Sequence, residues 1–143
     1  MHYSVTVEID LPRQRVIELF DNPDNMPLWQ PTLLSFQHVS GELGQTGAIS
    51  ELKYQMGKRE ITMIETITER NLPDVFSATY ETKGVWNQVS NHFVEQDGKT
   101  MWTMNTVFKC TGMLRIMAWL MPGMFKKQTT ADMLSFKAFA EGQ

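Results

Sequence analysis

The sequence predicts an α+β domain in which a curved, seven-stranded antiparallel sheet wraps around a long C-terminal helix. Three observations point to it. Six segments with period-two alternation follow one another between about residues 32 and 110, with short glycine-bearing turns between them. A seventh such segment opens the chain, set apart from the others by two short helical stretches. One long amphipathic stretch closes it. A sheet of this size has a face to cover and few helices to cover it. The last helix must therefore lie across that face, and the sheet must curl around the helix.

The elements follow in order. Residues 3–9 alternate Tyr3, Val5, Val7 and Ile9 against Ser4, Thr6 and Glu8, the period of a half-buried strand. Leu11-Pro12 opens a helical pattern with Val16, Ile17, Leu19 and Phe20 on one side, and Asp10 is the expected N-cap. Asp21-Asn22-Pro23 ends this helix, and a second short one covers about 23–29, closed by Pro31. Strands are expected at about 32–40, 48–56, 59–69, 75–82, 85–95 and 100–110. They are separated by the loop Gly41 to Gly47, a tight turn at Gly57-Lys58, the loop Asn71 to Asp74, and turns at Lys83-Gly84 and Gln96-Asp97-Gly98-Lys99. After Thr111-Gly112 come helical patterns at about 113–121 and 124–140. No internal repeat, linker or low-complexity stretch interrupts the series, so residues 1–143 read as one domain.

Composition excludes several classes. The chain of 143 residues has 42% hydrophobic and 20% charged residues, ordinary for a folded domain. A net charge of −3 with no block of like charges argues against nucleic acid as a partner. A single cysteine, Cys110, excludes an internal disulfide framework and suits a reducing compartment. The N-terminus alternates and carries charge, unlike a signal peptide. The longest apolar region, Met113 to Phe125, is too short to span a bilayer and contains Arg115, Pro122 and Gly123. A cytoplasmic protein without stable membrane insertion is the expectation.

Several stretches carry a resemblance. Residues 10–20 look like a proline-led first helix, and Asp24-Asn25-Met26-Pro27-Leu28-Trp29 like a second short helix ending in tryptophan. Asp97-Gly98-Lys99-Thr100 looks like a final hairpin, and Met121 to Gln128 like the entry to a last helix. In this order and spacing the chain resembles the helix-grip fold of the START-related (SRPBCC) superfamily. Within it, the chain is most similar to small bacterial polyketide cyclase/dehydrase-like proteins. The superfamily includes pollen allergens, polyketide cyclases and lipid-transfer domains. The resemblance implies a cavity between sheet and last helix, and it argues only for the fold where chemistry is concerned.

Hairpin turns set which side chains face that cavity, because residues flanking a two-residue turn pair directly. Around Lys83-Gly84, Thr82 meets Val85, Tyr80 meets Asn87, Ala78 meets Val89 and Phe76 meets Asn91, and this more apolar set is placed inward. A two-residue turn at Gly57-Lys58 pairs Met56 with Arg59, Tyr54 with Ile61, Leu52 with Met63 and Ser50 with Glu65. On the last strand the face of Trp102, Met104, Thr106 and Phe108 is taken as inward. The last helix shows a stripe of Phe125, Phe136 and Phe139, with Gln128, Thr129, Asp132 and Ser135 on or beside it. The expected ligand-binding residues are Tyr54, Met63, Tyr80, Asn87, Asn91, Trp102, Met104 and Gln128.

Asn87 and Asn91 are two inward amides that each need a partner: a ligand, each other, or ordered water. Glu65 is the inward carboxylate of the sheet and Asp132 a second from the helix. A carboxyl in an apolar recess can serve as general acid or base, so these two are the catalytic candidates; the alternatives for Glu65 are an ion pair with Arg59 or a place at the rim in water. Gly41, Gly44 and Gly47 precede a strand rather than a helix, which excludes a phosphate loop. His2, His38 and His92 fall on separate strands without metal-site spacing, and Cys110 has no neighbouring histidine. No metal and no cofactor is expected. Met113, Met117, Met121, Met124 and Met133 lie around the C-terminal helices beside Trp119, Leu120 and Phe125, as core filling, an entrance or a partner surface.

The leading expectation is binding of a small, largely hydrophobic molecule of polyketide, lipid or isoprenoid type. The alternatives are a cofactor-independent cyclase or dehydratase and a protein-interaction module. The oligomeric state stays open, a homodimer included.

Overall fold

The computed structural model describes residues 1–120 and 123–143, apart from the side chains at 114, 117 and 118. Strand β1 (His2–Ile9) leads to helix α1 (Arg13–Phe20), a 3-10 turn at Pro23–Asn25 and the short helix α2 (Met26–Trp29). Six strands follow: β2 (Leu33–Ser40), β3 (Ile49–Met56), β4 (Arg59–Asn71), β5 (Val75–Thr82), β6 (Val85–Gln96) and β7 (Lys99–Cys110). Helices α3 (Met113–Leu120) and α4 (Gly123–Glu141) complete the chain. The seven strands form one antiparallel sheet in the order β1-β7-β6-β5-β4-β3-β2, the helix-grip arrangement. Each neighbour in the sheet is a neighbour in sequence except at one seam, where β1 joins β7.

The turns set the register. Gly57 and Gly84 have φ of 64° and 81°, and Asp97-Gly98 have 54° and 75°, the left-handed values that two-residue hairpins require. The flanking pairs Met56–Arg59, Thr82–Val85 and Gln96–Lys99 sit directly opposite each other. Every pairing expected around the first two turns is present, including Ser50–Glu65 and Phe76–Asn91. Register shifts in β2–β3 and between Ile67 and Glu69 of β4–β5 mark bulges, which bend strands and add to the curl of the sheet. Gly41 is required where it stands. Its φ is 77°, and a Cβ there would lie 2.9 Å from the Ala48 Cα.

The cap of α1 differs from expectation. Pro12, not Asp10, occupies the N-cap and makes no side-chain cap bond. Proline begins the helix one residue later than the acid could reach. The free Arg13 N–H instead donates to Glu95 Oε1 of β6 at 2.6 Å, while the Asp10 N–H donates to Glu141 Oε2 at 2.8 Å. Both bonds tie this corner to distant elements.

α4 packs against β1 and α2. Its Met133, Phe136 and Ala140 are fully buried, and Lys137 Nζ donates to the Glu8 carbonyl at 2.7 Å. The core beneath it joins Ile9, Val16, Leu19, Trp29, Phe93 and Trp102. Phe136 sits edge-on to Trp29 at 5.1 Å and to Trp102 at 5.2 Å, and Trp102 stacks on Phe93. Phe20 of α1 closes this cluster with edge contacts to Phe93, Trp102 and Phe136. No helix among the described residues is long and apolar enough to cross a membrane.

Candidate functional site

The inward face of the sheet divides in two. Around α1, α2 and the middle of α4 it is filled by the aromatic cluster. Toward the β5–β6 hairpin the inward side chains stay half-exposed: Tyr54, Ile61, Met63, Tyr80, Asn87, Met104 and Phe108 from the sheet, and Phe125, Thr129 and Asp132 from α4. Their register aims them at the concave side, so their exposure does not come from pointing outward. The helix lies against β1 at this level rather than against the middle strands.

A polar cluster sits within this patch. Glu65, only 7% exposed, accepts a hydrogen bond from Tyr80 Oη at 2.7 Å. The two residues are cross-strand partners on β4 and β5. Burial holds the Glu65 carboxyl above its ordinary range, and the Tyr80 bond offsets part of the rise. Tyr80 itself is pushed well up by burial and by the Glu65 charge. Tyr54 Oη donates to Gln30 Oε1 at 2.8 Å, and burial, with Glu65 and Asp132 adding their charges, raises this phenol as well. Burial also raises the Asp132 carboxyl, against a 3.0 Å bond from Gln128 Nε2. At the edge of the cluster Tyr3 Oη lies 2.6 Å from Thr129 Oγ1 and donates to the Phe125 carbonyl at 3.2 Å.

The two amides have separate fates. Asn91 is buried and satisfied: its Oδ1 accepts from Trp102 Nε1 at 2.9 Å, and its Nδ2 donates to the Phe76 carbonyl at 3.3 Å. Asn87 lies opposite Tyr80 and beside Phe108, and its Oδ1 is buried without a partner.

Of the residues singled out from sequence, Tyr54, Met63, Tyr80, Asn87, Met104 and Asp132 are partly buried, Glu65 is buried beside Tyr80, and Met104 pairs with Asn91. Trp102 and Asn91 lie in the filled half, bonded to each other. Gln128 is exposed on α4 and its side chain turns back to Asp132, because its position on the helix faces solvent rather than the stripe. Glu65 pairs with Tyr80 and not with Arg59, which is exposed at the hairpin tip. Gln30, Tyr3 and the stacked pair Phe108–Phe125, at 4.5 Å, belong to the region but were not singled out. Alternation does place Tyr3 inward, yet nothing in the sequence says that β1 would meet Thr129. Of the methionines named near the C-terminus, Met133 is core and Met113 and Met124 are exposed, while Met121 and the Met117 side chain lie outside the described residues. Of two surface clefts, one lies over α1 and Leu72-Pro73, away from the patch, and one lies beside α3 and reaches Phe108.

The profile of the family described as polyketide cyclase / dehydrase and lipid transport matches residues 1–141. The chain belongs to this family. No curated protein matches its sequence. Solved structures with the same fold include a conserved protein from Geobacillus kaustophilus, at 13% identity and a TM-score of 0.82, covering 98% of this chain and 95% of that one. The Zhui aromatase/cyclase of a Streptomyces species aligns at 15% identity and a TM-score of 0.78, covering 99% and 93%. Norcoclaurine synthase from Thalictrum flavum, solved in complex with dopamine and hydroxybenzaldehyde, aligns at 10% identity and a TM-score of 0.73, covering 97% and 85%. At these identities the likeness extends to the fold.

Proposed function

We propose that the half-exposed inward patch takes up a small, largely hydrophobic molecule bearing a hydroxyl or similar donor. The observation that carries this is the Asn87 Oδ1, buried with Tyr80 and Phe108 as its cross-strand neighbours and with no hydrogen-bond partner among the described residues. Such an acceptor costs about 1–3 kcal/mol until a donor reaches it. Phe108 beside it, and Met63 and Met104 elsewhere on the inward face, supply apolar contact. Native mass spectrometry of freshly purified protein tests for a bound molecule, and calorimetric titration with a naphthol tests the site itself. Naphthol should bind the wild type saturably, Asn87→Leu should weaken it about tenfold, and Glu65→Gln should leave it nearly unchanged. Absence of saturable binding would sink the reading.

A second reading is favoured by one specific observation: the buried Glu65 carboxyl, held by Tyr80 and kept above its ordinary range. Such a group can deliver a proton to a bound carbonyl compound and take one back, which is the work of a cyclase or dehydratase. The readings separate cleanly. Turnover of a polyketide-like carbonyl substrate that disappears in Glu65→Gln or Asp132→Asn, with binding retained, would establish catalysis.

A further inference from the structure

α3 presents an apolar stripe to solvent. Met113, Ile116, Trp119 and Leu120 are 81%, 60%, 80% and 64% exposed. Their spacing puts them along one side of the helix. Exposed apolar clusters of this kind mark interaction sites. The charges around the stripe say what kind. Between Asp97 and Asp132 the chain has no acidic residue and five basic ones, whereas the rest has eight basic and sixteen acidic residues. Lys109 and Arg115 line a cleft with Ile116 and Trp119. Lys126 and Lys127 are exposed in the opening turns of α4. Of these five, Lys99 pairs with Glu8 at the β6–β7 hairpin, and the other four flank or lie within α3 in a chain whose net charge is −3.

We infer that α3 docks on an anionic lipid surface. The stripe enters the headgroup region, with Trp119 at the boundary where one end of an indole is apolar and the other wet. Lys109, Arg115, Lys126 and Lys127 meet the anionic headgroups. With 8 residues α3 is only about 12 Å long, so it lies along the surface and does not cross. A second copy of the chain fits less well, because pairing the stripes would bring two cationic rims together. Nucleic acid would meet the cations but leave the aliphatic side chains unused. The surface is on the outside of the molecule and stands independently of the reading given to the inward patch.

The test is co-sedimentation of the full chain with vesicles of phosphatidylcholine alone and of equimolar phosphatidylcholine and phosphatidylglycerol. Binding should require phosphatidylglycerol and should weaken as salt is raised. Trp119→Asp should reduce it about tenfold or more, and so should the pair Lys126→Glu and Lys127→Glu, with unchanged circular dichroism because all three side chains are exposed. Wild type that stays in the supernatant with both vesicles overturns the inference, as does Trp119→Asp binding like wild type. Sedimentation velocity that finds a dimer split by Trp119→Asp also overturns it, assigning the stripe to a second copy.

Discussion

Asn87 and Asn91 sit four residues apart on β6 and face the same way, but only one is finished. Asn91 joins Trp102 to the Phe76 carbonyl, so Asn91→Leu leaves the buried Trp102 Nε1 without this acceptor. We expect it to cost about 1–3 kcal/mol in urea denaturation, which makes it a stability variant before it is a binding variant. Asn87→Leu removes an oxygen that has no partner and should be neutral or stabilising in the same measurement. Glu65 gives a pH signature. Its folded carboxyl holds a proton more tightly than the unfolded one, because burial raises it. The contribution to stability is complete below the unfolded pKa and is lost as pH rises through the folded one. Glu65→Gln should therefore gain on wild type in denaturation midpoint as pH climbs out of the ordinary carboxylate range toward neutrality. A difference that stays flat with pH would refute the assignment. Facing was legible for all of these residues, since tight turns fix register and register fixes sides. Hydrogen-bond partners were not. Nothing in the sequence ties Asn91 to Trp102 rather than to Asn87, or Glu65 to Tyr80 rather than to Arg59, because those choices depend on distances across strands that only the folded sheet sets.

At the scale of elements, strands and helices followed from alternation and turn chemistry to within about two residues. The departures have tertiary causes. β4 runs to Asn71, past the expected end at 69, because Arg70 and Asn71 pair with Phe76 and Val75 across the loop. α1 lacks the expected acidic cap because Glu95, eighty-two residues on, supplies the acceptor. What the pattern could not express is how closely α4 approaches each strand. That distance decides which half of the inward face is filled and which stays half-exposed, and it depends on side-chain volumes summed over several elements. Phe136 is the measure of the filled half. Phe136→Ala should cost about 3–5 kcal/mol, since the ring touches Trp29, Trp102 and Phe20 and none can collapse into its place without moving a helix. A loss below about 1 kcal/mol would show that the cluster repacks freely. Gly41→Ala should destabilise by more than about 1 kcal/mol, because its Cβ would meet the Ala48 backbone and φ would be strained as well.

Across the whole molecule, the seam between β1 and β7 has a temporal meaning. Val5 pairs with Met104, and α4, synthesised after the other elements, packs on β1, synthesised before them. At roughly 5–20 residues per second, β1 waits on the order of ten seconds for its partners. During that wait Tyr3, Val5, Val7 and Ile9, all buried in the finished protein, have nothing to rest on. The hairpins from β3 to β7 can zip as they emerge, but the aromatic cluster cannot close until Phe136 arrives. Ribosome-bound chains halted before α4 has emerged should be cut by protease at doses the full chain survives, and should retain holdase chaperones on β1. Chains halted after α4 has cleared the exit tunnel should become resistant in a single step, because β1 and α4 complete the same core.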